Sequence, residues 1–363
     1  MNVPPLTVSD IRTYPVVAPL KYPVTTASGT LGEAPLLLID LMTREGITGR
    51  AYLLAYQRLA LRPLDELVRA LAATMAGSPV IPAELEPKLR GRFTLLGGAR
   101  GLAGMAVSGL DMALWDALAQ ARGVPLVGLL GGQARPVQAY NSLGMVSAGN
   151  AEEVAARAFV NGFKAAKFKI GWTSFTEDLA AVRAFRKAAP AGTAIMVDFN
   201  QSLSVAEAIR RSRGLDGEGL SWIEEPVRCD DHFGCSQVAA SVETPIQIGE
   251  NFSGTFEMAE SLRLRASDYV MPDPQQIGGV SGWLRAAALA QAAGVECSNH
   301  LFIEISAHLL PVTPTGHWLE YLDIAGAVLQ EPPEVVDGAV TASGRAGGGL
   351  AWDEAAVKRY AVS

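Results

Sequence analysis

AAKFKIG (165–171), AIMVDFN (194–200) and LSWIEEP (220–226) decide the architecture. Each is a short, largely apolar run that ends in charged or amide side chains. VQAYNS (137–142), PIQIGEN (245–251), DYVMPDP (268–274), GVECSNH (294–300) and HWLEYL (317–322) share the pattern. The starts lie 23 to 29 residues apart, the length of one βα unit. Ala194–Val197 is continuously apolar, as a strand buried on both faces of a parallel sheet should be. Helical stretches fill the gaps. Ser174-Phe-Thr-Glu177 has the form of a capping box. Leu179, Val182 and Phe185 follow at helical spacing until Pro190, and residues 203–214 and 278–293 read the same way. Eight strands alternating with helices predict a parallel (β/α)8 barrel of the TIM type over residues 131–325. It is a modified one: the sequence turns Pro- and Gly-rich after Leu322, so the last helix is diverted. An open doubly wound sheet is the alternative, weakened because no GxGxxG follows an early strand.

Residues 1–130 read as an α+β capping domain. LTVSDIRTYPVV and APLLLIDLMTREGITGRAYLLA are strand-like, the second a hairpin turning at Arg44–Gly46. Helices are expected over 62–76 and 103–122, where Val107, Leu110, Leu114 and Leu118 share a face. Residues 16–32 have the Pro, Thr, Ser and Gly content of a substrate-covering loop or lid. Residues 326–363 are too few to fold alone and are expected to pack back on the capping domain.

Composition narrows the function. The chain has 363 residues, enough for two to three domains or one large barrel with an addition. Apolar residues make up 49% and charged residues 18%, which excludes a disordered chain. Apolar runs such as Ala34–Ile39 fall far short of the roughly 20 residues that span a bilayer. MNVPPLTVSD lacks the basic and apolar regions of a signal peptide. Cys229, Cys235 and Cys297 form neither a disulfide framework nor a CxxC site, so a reducing, cytoplasmic setting is expected. Net charge is −7 with no run of Lys or Arg, which disfavours nucleic-acid and anionic-membrane partners.

Chemistry in such a barrel sits at the C-terminal ends of the strands. There the sequence places Lys167 and Lys169 on one face, then Asp198 and Asn200, Glu224, Glu250, Asp273, His300 and Glu320. Asp198, Glu224 and Glu250 are each 26 residues apart, at equivalent positions of adjacent units. Each alone could be a salt-bridged strand end. Together they repel unless a cation lies among them, and an all-oxygen set points to Mg2+. A lysine near another cation and partly desolvated has a lowered pKa and can act as a base. Asp273, one strand before His300, can fix its tautomer.

This series, with PLKYPVTTASGTLGEAPLLLIDL, ALWDALA, KFKIG, VDFNQSL, WIEEP, SNHLF and HWLEYLD, resembles the enolase superfamily, and within it the mandelate racemase subgroup, over nearly the whole chain. The resemblance implies a cap on a modified barrel. It also implies proton abstraction next to a substrate carboxylate through an ene-diolate, giving racemisation or epimerisation of a 2-hydroxy acid. That pairing of a Lys or His base with Mg2+ is a known property of the superfamily. Asp198, Glu224 and Glu250 would hold Mg2+, for which Mn2+ could substitute. Lys169 and His300, paired with Asp273, would face opposite sides of the α-carbon. Lys167 and Ser142 would touch the carboxylate, Glu320 would be a neutral acid donating to it, and Asn200 would meet the α-substituent. A homo-oligomer, an octamer by family resemblance, is implied. Departures fall in the pocket: Gln276 where the racemase has lysine, Ser28 and Leu31 where it has valines, and Leu54 for a phenylalanine. Tyr56, Val24, Leu301 and Leu322 keep the pocket mainly apolar. The runner-up is an acid-sugar dehydratase with Lys169 as base and His300 as the acid expelling a β-hydroxyl. A metal-binding protein without turnover is the remaining alternative.

Overall fold

The computed structural model describes residues 6–26 and 29–362. The chain begins with an antiparallel sheet of β1 (Val8–Thr26), β2 (Gly29–Thr43) and β3 (Thr48–Leu54), in that order. Helices α1 (Arg58–Ala73), α2 (Pro82–Gly91) and α3 (Gly101–Arg122) follow. Successive strand side chains point to opposite faces, and both faces of β2 are buried. Leu37, Ile39 and Leu41 join Ala51 and Leu53 of β3 in a core with Leu64 and Val68 of α1 and Leu110 and Leu114 of α3. Leu36 and Leu38, with Tyr52 and Leu54, join Leu301, Phe302 and Ile324 of the barrel instead. One sheet thus binds its own helices with one face and the barrel with the other.

Close approach of sheet and helix depends on two glycines. A Cβ on Gly49 would lie 2.1 Å from the Ala113 carbonyl oxygen, and one on Gly109 would lie 2.8 Å from Leu53. By length and hydropathy α3 could cross a bilayer, but 78% of its apolar window is buried inside this fold.

The loop expected over 16–32 is corrected by the backbone. β1 and β2 continue as a ladder with Val16 opposite Leu36, Pro19 opposite Glu33 and Val24 opposite Leu31, with a register shift between Pro19 and Val24. Proline is tolerated because β1 is an edge strand. Ser28 lies outside the described residues.

The barrel strands are β4 (Val137–Met145), β5 (Ala165–Lys169), β6 (Ala194–Asp198), β7 (Ile223–Glu224), β8 (Ile246–Ile248), β9 (Tyr269–Val270), β10 (Glu296–Cys297) and β11 (Leu319–Tyr321). Neighbours from β4 to β10 pair in parallel. Closure comes from β11 pairing with β4 and from a parallel bridge between Cys297 and Gly316. The fold is therefore the capped (β/α)8 barrel that the sequence implied. Ser174 and Glu177 form the complete capping box at the start of helix Phe175–Ala188. Tyr140, Met196 and Trp222 fill the barrel interior.

The C-terminal segment touches both parts. β12 (Val335–Val336) and β13 (Ala339–Val340) form a hairpin whose second strand runs antiparallel to β4. Further on, the Trp352 indole donates to Asp40 at 2.8 Å and Ala361 bridges to Val16.

Candidate active site

Strand register puts the charged residues side by side. Ser142 of β4 pairs with Lys167 of β5, Lys169 with Asp198 of β6, and Asp198 with Glu224 of β7. Glu250 follows β8 after Gly249, whose φ of +136° suits glycine. Lys167, Asp198, Glu224, Asp273 and Glu320 are almost wholly buried, and Lys169 and His300 nearly so.

Lys167 bonds Glu224, lies 2.9 Å from Glu320 Oε1 and sits over the Tyr140 ring. Lys169 donates to Asp198 Oδ2 at 2.7 Å. The pKa of Lys169, expected to be lowered, is instead raised. Burial works against the charge, but Asp198 and Glu250 outweigh it together with the repulsion from Lys167. Asn200 sits at φ +45°, its N–H donating to Asp198 Oδ1 at 2.6 Å and its Nδ2 to Asp198 Oδ2 at 2.9 Å. Among the described residues, its buried Oδ1 has no partner.

After β10, His300 Nδ1 meets Asp273 Oδ2 at 2.7 Å. Asp273 is itself fixed by the Gln275 N–H at 2.6 Å. That leaves Nε2 turned inward, 3.3 Å from Glu250 and 4.0 Å from Glu320. Burial opposes the imidazolium, yet Glu250, Asp273 and Glu320 carry its pKa up to about 10.

Glu320 requires a second correction. The resemblance implied a neutral acid. Burial does push that way, but Lys167, His300 and the Leu301 N–H at 2.9 Å surround it and pull it down to about 2. Its near neighbours are cations and an N–H donor, so it stands here as a carboxylate.

The residues expected to hold Mg2+ do not form a ready-made cage. Among the described residues no three His, Cys, Asp or Glu side chains are already gathered as a cation cage. Asp198 and Glu224 are engaged by the two lysines instead. The donor chemistry nevertheless fits a divalent ion. Six carboxylates (Asp198, Glu224, Glu225, Glu250, Asp273 and Glu320) face two lysines and one imidazole. Burial and mutual repulsion outweigh Lys167 to push Glu224 up to about 7, and they lift Glu225 well above the carboxylate range. Uncompensated negative charge beside the orphaned Asn200 oxygen is what a hard cation relieves.

Val24, Leu54 and Leu301 are buried in one apolar cluster, with Leu31 and Leu322 packed against it. Tyr56, at φ +59°, is more than a third exposed as a residue. Burial of its phenol, helped by Asp273, Glu250 and Glu320, lifts its pKa well above the ordinary value against the pull of a hydrogen bond with Gln275. Gln276 starts a turn by donating its N–H to the Asp273 carbonyl. Several residues near this chemistry escaped sequence reading. Gln247 and the Trp222 indole each donate to Glu224 Oε2 at 3.1 Å. A polar residue inside the apolar run Ile246–Ile248 was the available signal for Gln247. For Tyr140 it was the shared face with Ser142.

Residues 8–131 match the family Mandelate racemase / muconate lactonizing enzyme, N-terminal domain, and residues 150–356 match Enolase C-terminal domain-like. The chain belongs to the mandelate racemase/muconate lactonizing enzyme family of the enolase superfamily. It is 31% identical over 350 residues to the L-talarate/galactarate dehydratase of Salmonella typhimurium, covering 93% of this chain and 87% of that one. It is 28% identical over 322 residues to the L-Ala-D/L-Glu epimerase of Bacillus subtilis, covering 85% and 83%. An enolase from Bradyrhizobium, crystallised with magnesium and mandelic acid, is 46% identical over 99% of both chains with a TM-score of 0.96. The expected Mg2+ agrees with the Mg2+ in that structure. The two curated relatives are enzymes, one a dehydratase and the other an epimerase.

Proposed function

We propose that this chain uses Mg2+ to remove the proton next to a carboxylate and returns a proton on the other face, racemising or epimerising a 2-hydroxy acid. The Asp273–His300 pair carries the reading. Its 2.7 Å bond commits Nδ1 and leaves Nε2 for the site, on a segment after β10, a strand not adjacent to the β5 that carries Lys169. Asp198, Glu224 and Glu250 are the assigned ligands, and Mg2+ when bound supplies the positive charge that makes such a proton removable. Lys169 serves one face and His300 the other: for each enantiomer the one that is deprotonated takes the α-proton and the other, protonated, returns one to the opposite face. Lys167 and Ser142, adjacent in register, hold the substrate carboxylate. Asn200 offers its free oxygen to the α-hydroxyl. Glu320, drawn down to about 2 by Lys167, His300 and the Leu301 N–H, donates to the substrate carboxylate only in its protonated form. Tyr56 and the apolar group of Val24, Leu301 and Leu322 cover the remaining substituent. That cover supports an apolar or aryl group, in keeping with the mandelic acid bound by the Bradyrhizobium relative.

An acid-sugar dehydratase is the second reading, favoured by the 31% identity to a galactarate dehydratase. It needs several polar partners for the sugar hydroxyls, and the cluster that Val24, Leu301 and Leu322 belong to is apolar. Incubation with Mg2+ and one enantiomer of mandelate, followed by polarimetry, decides between them. Loss of optical rotation supports the racemase. A stable rotation, with a 2-keto product formed from aldarates, assigns the dehydratase.

A further inference from the structure

Strand β3 of the cap reaches over both segments that hold the imidazole. Tyr52 and Leu54 lie two apart, on one face of the strand. The Tyr52 hydroxyl donates to Glu304 Oε2 at 2.5 Å, and the Leu54 N–H donates to Gln275 Oε1 at 3.0 Å. Glu304 lies four residues after His300. Gln275 lies two after Asp273, and its own N–H binds the Asp273 carboxylate at 2.6 Å. The Tyr52 ring also stacks on Phe302, with centroids 5.1 Å apart and planes at 26°.

The chain under this contact is strained. Leu301 and Phe302 have φ of +48° and +49°, the left-handed region that residues with a Cβ avoid. Such conformations cost on the order of 1–3 kcal/mol each and persist only where surrounding contacts enforce them. Tyr52, Gln275, Phe302 and Glu304 are all buried, so the enforcing bonds are shielded from water. Burial lifts Glu304 to about 7 against the pull of the Tyr52 hydrogen bond. The lysine half differs. Among the described residues, the ion-pair partners of Lys167 and Lys169 are Asp198, Glu224 and Glu320, all in the barrel.

The geometry points to Tyr52, Glu304 and Gln275 as positioning residues through which the cap aims His300, while the barrel alone aims Lys169. This rests on the two-base reading above and adds an asymmetry to it. The test follows α-proton exchange of each mandelate enantiomer in D2O with Mg2+, by proton NMR. The enantiomer still exchanged by His300→Asn marks the lysine face. Tyr52→Phe and Gln275→Leu should each slow exchange at the imidazole face about tenfold and leave the lysine face within about twofold, with KM little changed. Glu304→Gln keeps an acceptor for Tyr52 and should keep the imidazole-face rate within about threefold of wild type. Both faces are read on aliquots of one preparation, one enantiomer in each, so loss of folded protein lowers both initial rates and leaves their ratio alone. An unchanged ratio in Tyr52→Phe and Gln275→Leu overturns the clamp while the two-base reading stands. Wild-type protein that exchanges neither enantiomer overturns that reading and the clamp with it.

Discussion

His300 reaches the site with one nitrogen committed, because Asp273 holds Nδ1 at 2.7 Å and only Nε2 is free to exchange a proton. His300→Asn should therefore abolish racemisation yet leave proton exchange of one enantiomer intact. NMR in D2O reads this, and equal loss for both enantiomers counts against two opposed bases. Glu320→Gln should cut kcat by about 100-fold or more while KM moves little, because the group acts on charge that develops during the reaction. Steady-state kinetics separate the two, and a change confined to KM would make Glu320 a binding group only. The strand-end residues were legible in the sequence because a repeated unit gives them equal spacing, as for Asp198, Glu224 and Glu250. Their protonation was not. The states of Lys169 and Glu320 depend on which neighbour each amine or carboxylate meets, and those neighbours come from other strands.

At the scale of elements, the capping box and the barrel strands were readable because their signals are local and periodic. Ser174→Ala should cost about 1 kcal/mol in a denaturant melt, since the Glu177 N–H loses its side-chain acceptor. The hairpin extension of β1 and β2 was not readable, because Pro19 and Pro23 belong to loops by composition and to an edge strand by position. The β3 bonds to Gln275 and Glu304 span 221 and 252 residues, and no local pattern encodes them. Cap and barrel also meet where Asp111 of α3 accepts from the Ser281 N–H at 2.9 Å and the Ser281 hydroxyl at 2.6 Å. Burial outweighs these bonds and raises Asp111 to about 7. The folded protein then keeps this proton up to about pH 7, whereas the unfolded chain releases it near about pH 4. Stability from this group is full below the lower value and is lost as pH rises through the higher one. Asp111→Asn removes that loss, so its melting temperature should gain on wild type between about pH 5 and about pH 8. A constant difference across that range would show that Asp111 does not titrate there.

Across the whole molecule, the barrel gathers the charge and the cap closes it beneath an apolar sheet face. Excess carboxylate is costly without a cation, so Mg2+ that binds only the folded protein should raise its melting temperature. At about 100 times Kd the gain is about 2.7 kcal/mol. Asp198→Asn should lose most of that shift, and EDTA should reverse it in wild type. A shift of equal size in wild type and Asp198→Asn would move the metal elsewhere. The most direct measurement is a crystal structure with Mg2+ and a bound 2-hydroxy acid. The ion should sit among Asp198, Glu224 and Glu250, with Lys169 Nζ and His300 Nε2 on opposite sides of the α-carbon. Both nitrogens on one side of that carbon, or either one out of reach of it, would contradict the two-base site.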